Sequence, residues 1–316
     1  MKPSSHPGYS KLVVNTISYF HFFNYSPSFE QIYTFFPEKI SKRQLKTVIN
    51  RFINQKKLIA HEEATLMRTL MKKKDYELNK ELNNKPNHQS LNIKFCHLDF
   101  PLYTLPQYSI NTSVTIQRHI ISNNKLALVY CYTKALSRIP LVKMVAITGS
   151  ASVGNCTPKD DIDIMIIAKR GYLWISRFFT ILLSILYNVR NLVCLNLFFD
   201  ETDLTIPRNK QTPYVAHEIL QMKPVIDKGQ IYKRFISENR WVRKIYPNSL
   251  MSNYKAQITN QSQNSKYKYQ IIRLFEAILK QIQLAIIRKN KTSFMITDTQ
   301  LWLFRRDFEK KIRSKL

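Results

Sequence analysis

The chain has 316 residues, with 49 Lys and Arg against 21 Asp and Glu and a formal charge of +28. That length gives room for two or three domains, and an ordinary apolar content allows a sizeable core. The four cysteines, Cys96, Cys131, Cys156 and Cys194, form no Cys-x-x-Cys pair. This argues against a zinc site or a disulfide framework and for a reduced, cytoplasmic setting.

The positive charge recurs along the chain, at 39–57, 72–74, 233–244, 288–291 and 305–315. Such a field draws polyanions, nucleic acid foremost. A coding bias toward Lys, Asn and Ile explains the same excess equally well. The start, Met1 to Pro7, has no apolar core of a signal peptide. Residues 1–10 are expected to be a disordered tail.

Leu12 to Phe23 has helical spacing, with Val13, Ile17 and Phe20 on one side. Ser28 and Gln31 have capping-box spacing, opening a short helix toward Phe36 that Pro37 ends. Ser41 starts a third helix. Its apolar stripe is Leu45, Val48, Ile49 and Phe52, and Lys42, Arg43, Lys46, Asn50 and Arg51 occupy much of the remaining surface. A strand at Leu58-Ile59 follows. This order predicts a winged-helix-like domain over 11–107, with a polar, irregular insertion at 62–90 and wing strands at 91–95 and 102–105. The basic helix either enters a DNA major groove or packs within the protein with its charges solvated.

Ser113 to Ser137 reads as a long helix with Ile116, Ile120, Ala127, Leu128, Cys131 and Ala135 inward, stopped by Pro140. Met144 to Thr148 is the next strand. It ends in Gly149-Ser150, and ten residues later Asp161-Ile162-Asp163 opens the apolar run Ile164 to Ile167. Acids at i and i+2 of a strand point to one face. Asp163 inside an apolar run is costly unless it is paired or bound to a metal. Two of the chain's five glycines, Gly149 and Gly154, lie in the intervening loop, where glycine permits close backbone approach. Two acids beside such a turn can hold a divalent cation and phosphate together, the equipment of an enzyme acting on a nucleoside triphosphate.

This pattern resembles the signature of the DNA polymerase β-like nucleotidyltransferase superfamily, with Ile147, Gly149, Ser150, Asp161, Ile162, Asp163 and Ile164 in the signature places. The resemblance implies that Gly149 and Ser150 hold the triphosphate and that Asp161 and Asp163 bind Mg²⁺, in a two-metal site. Lys159 is a further candidate for the nucleotide's phosphates. The superfamily usually has a third carboxylate on a later strand, acting as base toward the attacking hydroxyl. Here that strand is Leu192 to Phe199, and its polar position is Asn196, which cannot take a proton. Asp200, on the same strand face, is the preferred substitute. Further blocks at Thr16–Tyr25, Leu173–Arg177, Val193–Asp200, Ala216–Glu218 and Asn239–Trp241 are similar to those of bacterial nucleotidyltransferase-domain proteins with a winged-helix-like N-terminus.

The apolar stretch Tyr172 to Val189 contains Arg177 and reads as a core helix rather than a membrane span. His217-Glu218 is no zinc-protease motif, since Gln221 stands where a second His is needed. His217 itself is either a substrate contact or a packed structural residue. Helices are expected at 214–221, 232–242 and 269–288, the last with Ile272, Phe275, Ile278, Leu279, Ile282 and Ile286 as its apolar stripe, and a final basic helix at 297–316. The expectation is thus an α+β protein. A mixed catalytic sheet with helices lies at 108–206. A mainly helical region at 207–316 contains a polar linker at 253–266. The expected partners are a nucleoside triphosphate and RNA or DNA, with no membrane. The rival reading is a nucleic-acid-binding regulator whose nucleotidyltransferase domain is inactive or senses nucleotides.

Overall fold

A computed structural model describes residues 7–62, 96–249, 266–289 and 293–304. The insertion expected at 62–90, the strand at 91–95, most of the linker at 253–266 and the tail at 305–316 fall outside the described residues, apart from Glu62 and Lys266. The protein is a mixed α+β chain that divides into two units. One comprises residues up to Ala127 with Val153–Lys159 and Trp241–Leu250; the other comprises Leu128–Ser152, Asp160–Arg240 and the remainder.

In the first unit, helices α1 (Pro7–Phe22), α2 (Phe29–Thr34) and α3 (Lys42–Asn54) enclose a core of Val13, Ile17, Ile32, Phe36, Leu45 and Ile49. Ser28 caps α2 and Ser41 caps α3, each through a reciprocal box with the Gln three residues on. A box of this kind satisfies two of the amide donors that a helix start leaves without intrahelical partners. The stripe on α3 is buried as its spacing requires, while Lys42, Arg43, Lys46 and Asn50 are exposed. Strands β1 (Ile59–His61) and β2 (Leu102–Thr104) form a two-stranded antiparallel sheet. Asn248 accepts the Ile40 amide at 3.0 Å and donates to the Glu38 carbonyl at 2.7 Å, fixing the turn before α3. Helix α4 (Asn111–Leu136) belongs to this unit through Ala127 and to the other from Leu128.

The second half of α4 departs from expectation. Leu128 and Cys131 are exposed, and Leu126, Val129, Tyr132 and Leu136 are buried instead. The inward row continues from Ser122 at spacings of three and four, and a polar residue in that row obscures its phase in the sequence.

The second unit is built on a six-stranded mixed sheet in the order β6-β3-β4-β5-β8-β7. Its strands are β3 (Val142–Thr148), β4 (Ile162–Ala168), β5 (Val193–Asp200), β6 (Lys223–Asp227), β7 (Ser293–Ile296) and β8 (Gln300–Phe304). Only β4 and β5 run parallel, joined by the crossover helix α6 (Leu173–Leu186); a four-residue helix, α5 (Gly149–Ser152), links β3 toward β4. The central strands are continuous apolar runs because both faces are covered.

Three of these strands lie beyond residue 206, so the region expected to be mainly helical completes the sheet. Strand β6 contains Pro224, which removes a ladder donor and lowers any strand reading, yet β6 is an edge strand, where proline is tolerated. Residues 300–304 form β8, not the start of the expected final helix. The expected helix over 232–242 is two pieces, α8 (Ile231–Glu238) and α9 (Val242–Ile245), preceded by α7 (Pro213–Gln221).

Helix α10 (Lys266–Lys289) packs on α6, with Glu276 and Gln283 turned toward it. Glu276 accepts the amides of Trp174 at 2.6 Å and Ile175 at 2.9 Å, satisfying donors at the start of α6 from a neighbouring helix. Glu276→Ala should therefore destabilise the protein by about 1–3 kcal/mol, read as a lower denaturant midpoint at unchanged slope. Glu276→Gln, which keeps one acceptor, should cost less. Arg177 donates to Gln283 on α10 and stacks over Phe198, which ties α6 to α10 and to the sheet. Among the described residues no helix is long and apolar enough to cross a membrane.

Candidate active site around Gly149

Strand β3 ends at Thr148, and the chain then turns at Gly149 with φ +62°, a left-handed conformation that glycine adopts without cost. A Cβ at this position would collide with the carboxylate of Asp163. The glycine is thus required twice, by its backbone angle and by the acid lying over it. Asp163 reaches that point because β4 runs antiparallel to β3 with Thr148 opposite Asp163.

The amide of Gly149 donates to Glu218 Oε2 at 2.9 Å. Glu218 stands on α7, whose start is set by the cap Thr212 and by Pro213 in the first turn. The chain leaves α7 directly into β6, and β6 pairs with β3 so that Lys223 lies opposite Ile147. That pairing carries the last turn of α7 to the end of β3. Two carboxylates, 55 residues apart in sequence, therefore meet at one glycine, Glu218 on its amide and Asp163 over its Cα.

Both acids are held partly protonated near neutrality. Asp163 is raised from 3.8 to about 7, first by burial and then by the charge of Glu218, against a hydrogen bond from Cys194. The charges of Asp161 and Asp160 add to the rise, so both lie near Asp163. Glu218 is raised to about 7 by burial, offset in part by the Gly149 amide. His217, the neighbour of Glu218, is buried and kept neutral, which fits a packed residue.

Asn196 joins this group through an irregularity of β5. The β4–β5 register steps from Ile164 opposite Leu195 to Met165 opposite Leu197, leaving Asn196 as the extra residue. Its amide donates to Asp163 Oδ1 at 2.7 Å, while its own Oδ1 is buried with no hydrogen-bond partner. An orphaned buried carbonyl oxygen is costly by itself and is available as a ligand to a cation.

Asp200 is not brought to the site. It lies at the opposite end of β5, opposite Ala168, about 17 Å along the strand from the level of Asp163. Its carboxylate accepts the Gly171 amide at 2.6 Å and the Thr202 amide at 2.9 Å, closing the loop after β4. Lys159 is exposed, on the segment 153–159 that groups with the first unit. Gly154, on that same segment, has φ +75° and packs against His119. Ser150 is in α5, directly after the turn.

The structure brings Asp163, Asn196 and Glu218 together at Gly149, with Ser150 next in the chain and Asp161 close enough for its charge to act on Asp163. The sequence signals for Glu218 are its place in the Ala216–Glu218 block and its position on a helix among the apolar residues Val215, Ala216 and Ile219. Among the described residues no three His, Cys, Asp or Glu side chains stand close enough together to hold a metal by themselves. Comparison with family models, with curated proteins and with solved structures finds no match to this chain.

Proposed function

We propose that this protein is a Mg²⁺-dependent nucleotidyltransferase that moves a nucleoside monophosphate from a nucleoside triphosphate to an acceptor hydroxyl. The observation that carries the reading is the meeting of Asp163 and Glu218 at Gly149, two carboxylates whose mutual charge and burial leave them short of a cation. The donor set fits Mg²⁺: it is all oxygen, and it includes the orphaned Oδ1 of Asn196. Mg²⁺ in triphosphate enzymes takes only one or two protein carboxylates and fills its octahedron with water and phosphate oxygens, so a three-acid cluster is not needed.

Asp161 and Asp163 would hold the ion. It would neutralise charge developing on the transferred phosphate. The chain's own residues do the rest. Ser150 orients the phosphate tail, while the Gly149 amide holds Glu218. Asn196 fixes the rotamer of Asp163 through its 2.7 Å hydrogen bond. Glu218, with an affinity for protons matched to neutral pH, takes the part of the third carboxylate that Asn196 cannot play. As the acceptor oxygen bonds to the α-phosphorus, its proton passes to Glu218, and the bond to the β-phosphate oxygen breaks to release pyrophosphate.

The test is to incubate the protein with each labelled triphosphate, Mg²⁺ and mixed RNA and to follow pyrophosphate. Release that stops on adding EDTA is the expected result. The exposed cations of α3 and the Asn at position 196 favour one other reading, a nucleic-acid-binding regulator with an inactive domain. DNA binding with a steep salt slope and no release with any triphosphate would select it.

A further inference from the structure

Helices α6 and α10 each carry a row of large apolar side chains on the outer face. Helix α6 buries the small polar row Ser176, Thr180 and Ser184 and exposes Phe178, Phe179, Leu182, Ile185 and Leu186. Helix α10 turns Glu276 and Gln283 inward and exposes Leu274, Phe275, Ile278, Ile282 and Ile286. The exposures are large: 69% for Leu186, 62% for Leu274 and 57% for Ile185. Between the helices lies a groove of about 400 Å³ lined only by apolar and aromatic side chains, among them Tyr172, Phe178, Phe179, Phe275 and Leu279. Single exposed apolar residues are ordinary, whereas a contiguous face of this kind marks a binding surface.

The charge around the face selects its partner. Helix α6 has no acidic residue, and the sole acid of α10 is Glu276, which faces inward. Arg190, just beyond the end of α6, and Arg288 and Lys289, at the end of α10, are exposed. A second copy would set one +28 chain against another. Apolar helical faces bordered by Arg and Lys are the composition of helices that lie in the plane of a bilayer.

We propose that the outer face of α6 and α10 docks onto an anionic lipid surface, its aliphatic side chains entering the headgroup boundary and its marginal cations facing lipid phosphates. This contact needs no crossing helix, in keeping with the absence of one among the described residues. It is independent of the nucleotide chemistry.

The test is sedimentation of the full chain with phosphatidylcholine vesicles, with and without phosphatidylglycerol. The wild type is compared with the charge-neutral triple variant Phe275→Ser, Ile278→Ser, Ile282→Ser. The wild type should pellet with anionic vesicles, and the variant should bind at least about tenfold more weakly. Circular dichroism checks that the variant is folded. Should it unfold, Ile278→Trp replaces it, and brominated lipid should then quench its added fluorescence. Equal pelleting of variant and wild type would overturn the proposal, because binding would then come from charge elsewhere. No pelleting would overturn it as well. So would a doubled mass by light scattering without lipid that the triple variant returns to monomer, or vesicle binding that appears only after removal of residues 305–316.

Discussion

Asp163→Asn is expected to reduce pyrophosphate release by at least about three orders of magnitude while making the metal-free protein more stable at pH 8. The two effects share one cause. Asp163 is raised to about 7 in the folded chain, whereas it titrates near 4 when unfolded. A raised carboxyl binds its proton more tightly when folded, so the stability due to that proton is complete below about pH 4 and is lost as pH rises to about 7. Above that pH the ionised acid bears the cost of burial beside Glu218. Asn keeps the shape and can still accept from Asn196, but it carries no charge. The gain at pH 8 should be on the order of 1–2 kcal/mol, since partial exposure screens part of the shift. Melting in EDTA at pH 5 and pH 8 checks this: the variant's advantage should grow with pH. Mg²⁺ should raise the melting temperature of the wild type and leave the variant unmoved. Full activity in Asp163→Asn would remove the proposed chemistry.

Glu218→Gln should slow release by about a hundredfold or more with little change in the Michaelis constant for the triphosphate. The substitution is conservative in structure, because Gln still offers an oxygen to the Gly149 amide now bonded at 2.9 Å. What it removes is the proton acceptor. The acid limb of the wild-type rate profile, rising through about pH 7, should move to lower pH in the variant, where Asp163, freed of the Glu218 charge, titrates alone. A Glu218 that only braced the turn would leave the rate on the high-pH plateau intact, so the plateau rate separates the two roles.

Much of this site is legible in the chain because its acids are local. Gly149, Ser150 and Asp163 fall within one strand–turn–strand, where the β3–β4 pairing and a glycine fix their relations, and Asp161 stands just before β4. The helix starts at Ser28 and Ser41 are equally local, since a capping box is complete within four residues. What escapes is set by pairing between distant strands. The irregularity that puts Asn196 against Asp163 exists only in the β4–β5 register. Glu218 reaches Gly149 only because β6 pairs with β3. Asp200 shares a strand with Asn196, but strand direction carries it to the wrong end. The stripe on α10 is correct in period and inverted in direction: Phe275, Ile278, Ile282 and Ile286 form one face, and that face points outward. Periodicity tells which residues lie together on a helix, not which side a neighbour takes.

The pairing of Leu197 with Trp302 also sets a timetable for synthesis. When β5 leaves the ribosome, the strand that closes its outer side is still roughly a hundred residues from being translated. Until then the nascent chain presents Leu197, Phe198 and Phe199 on an open sheet edge, the kind of template on which other chains aggregate. Truncations ending before Gln300 would keep that edge open for good, so fragments made to isolate the nucleotide site are expected to be insoluble.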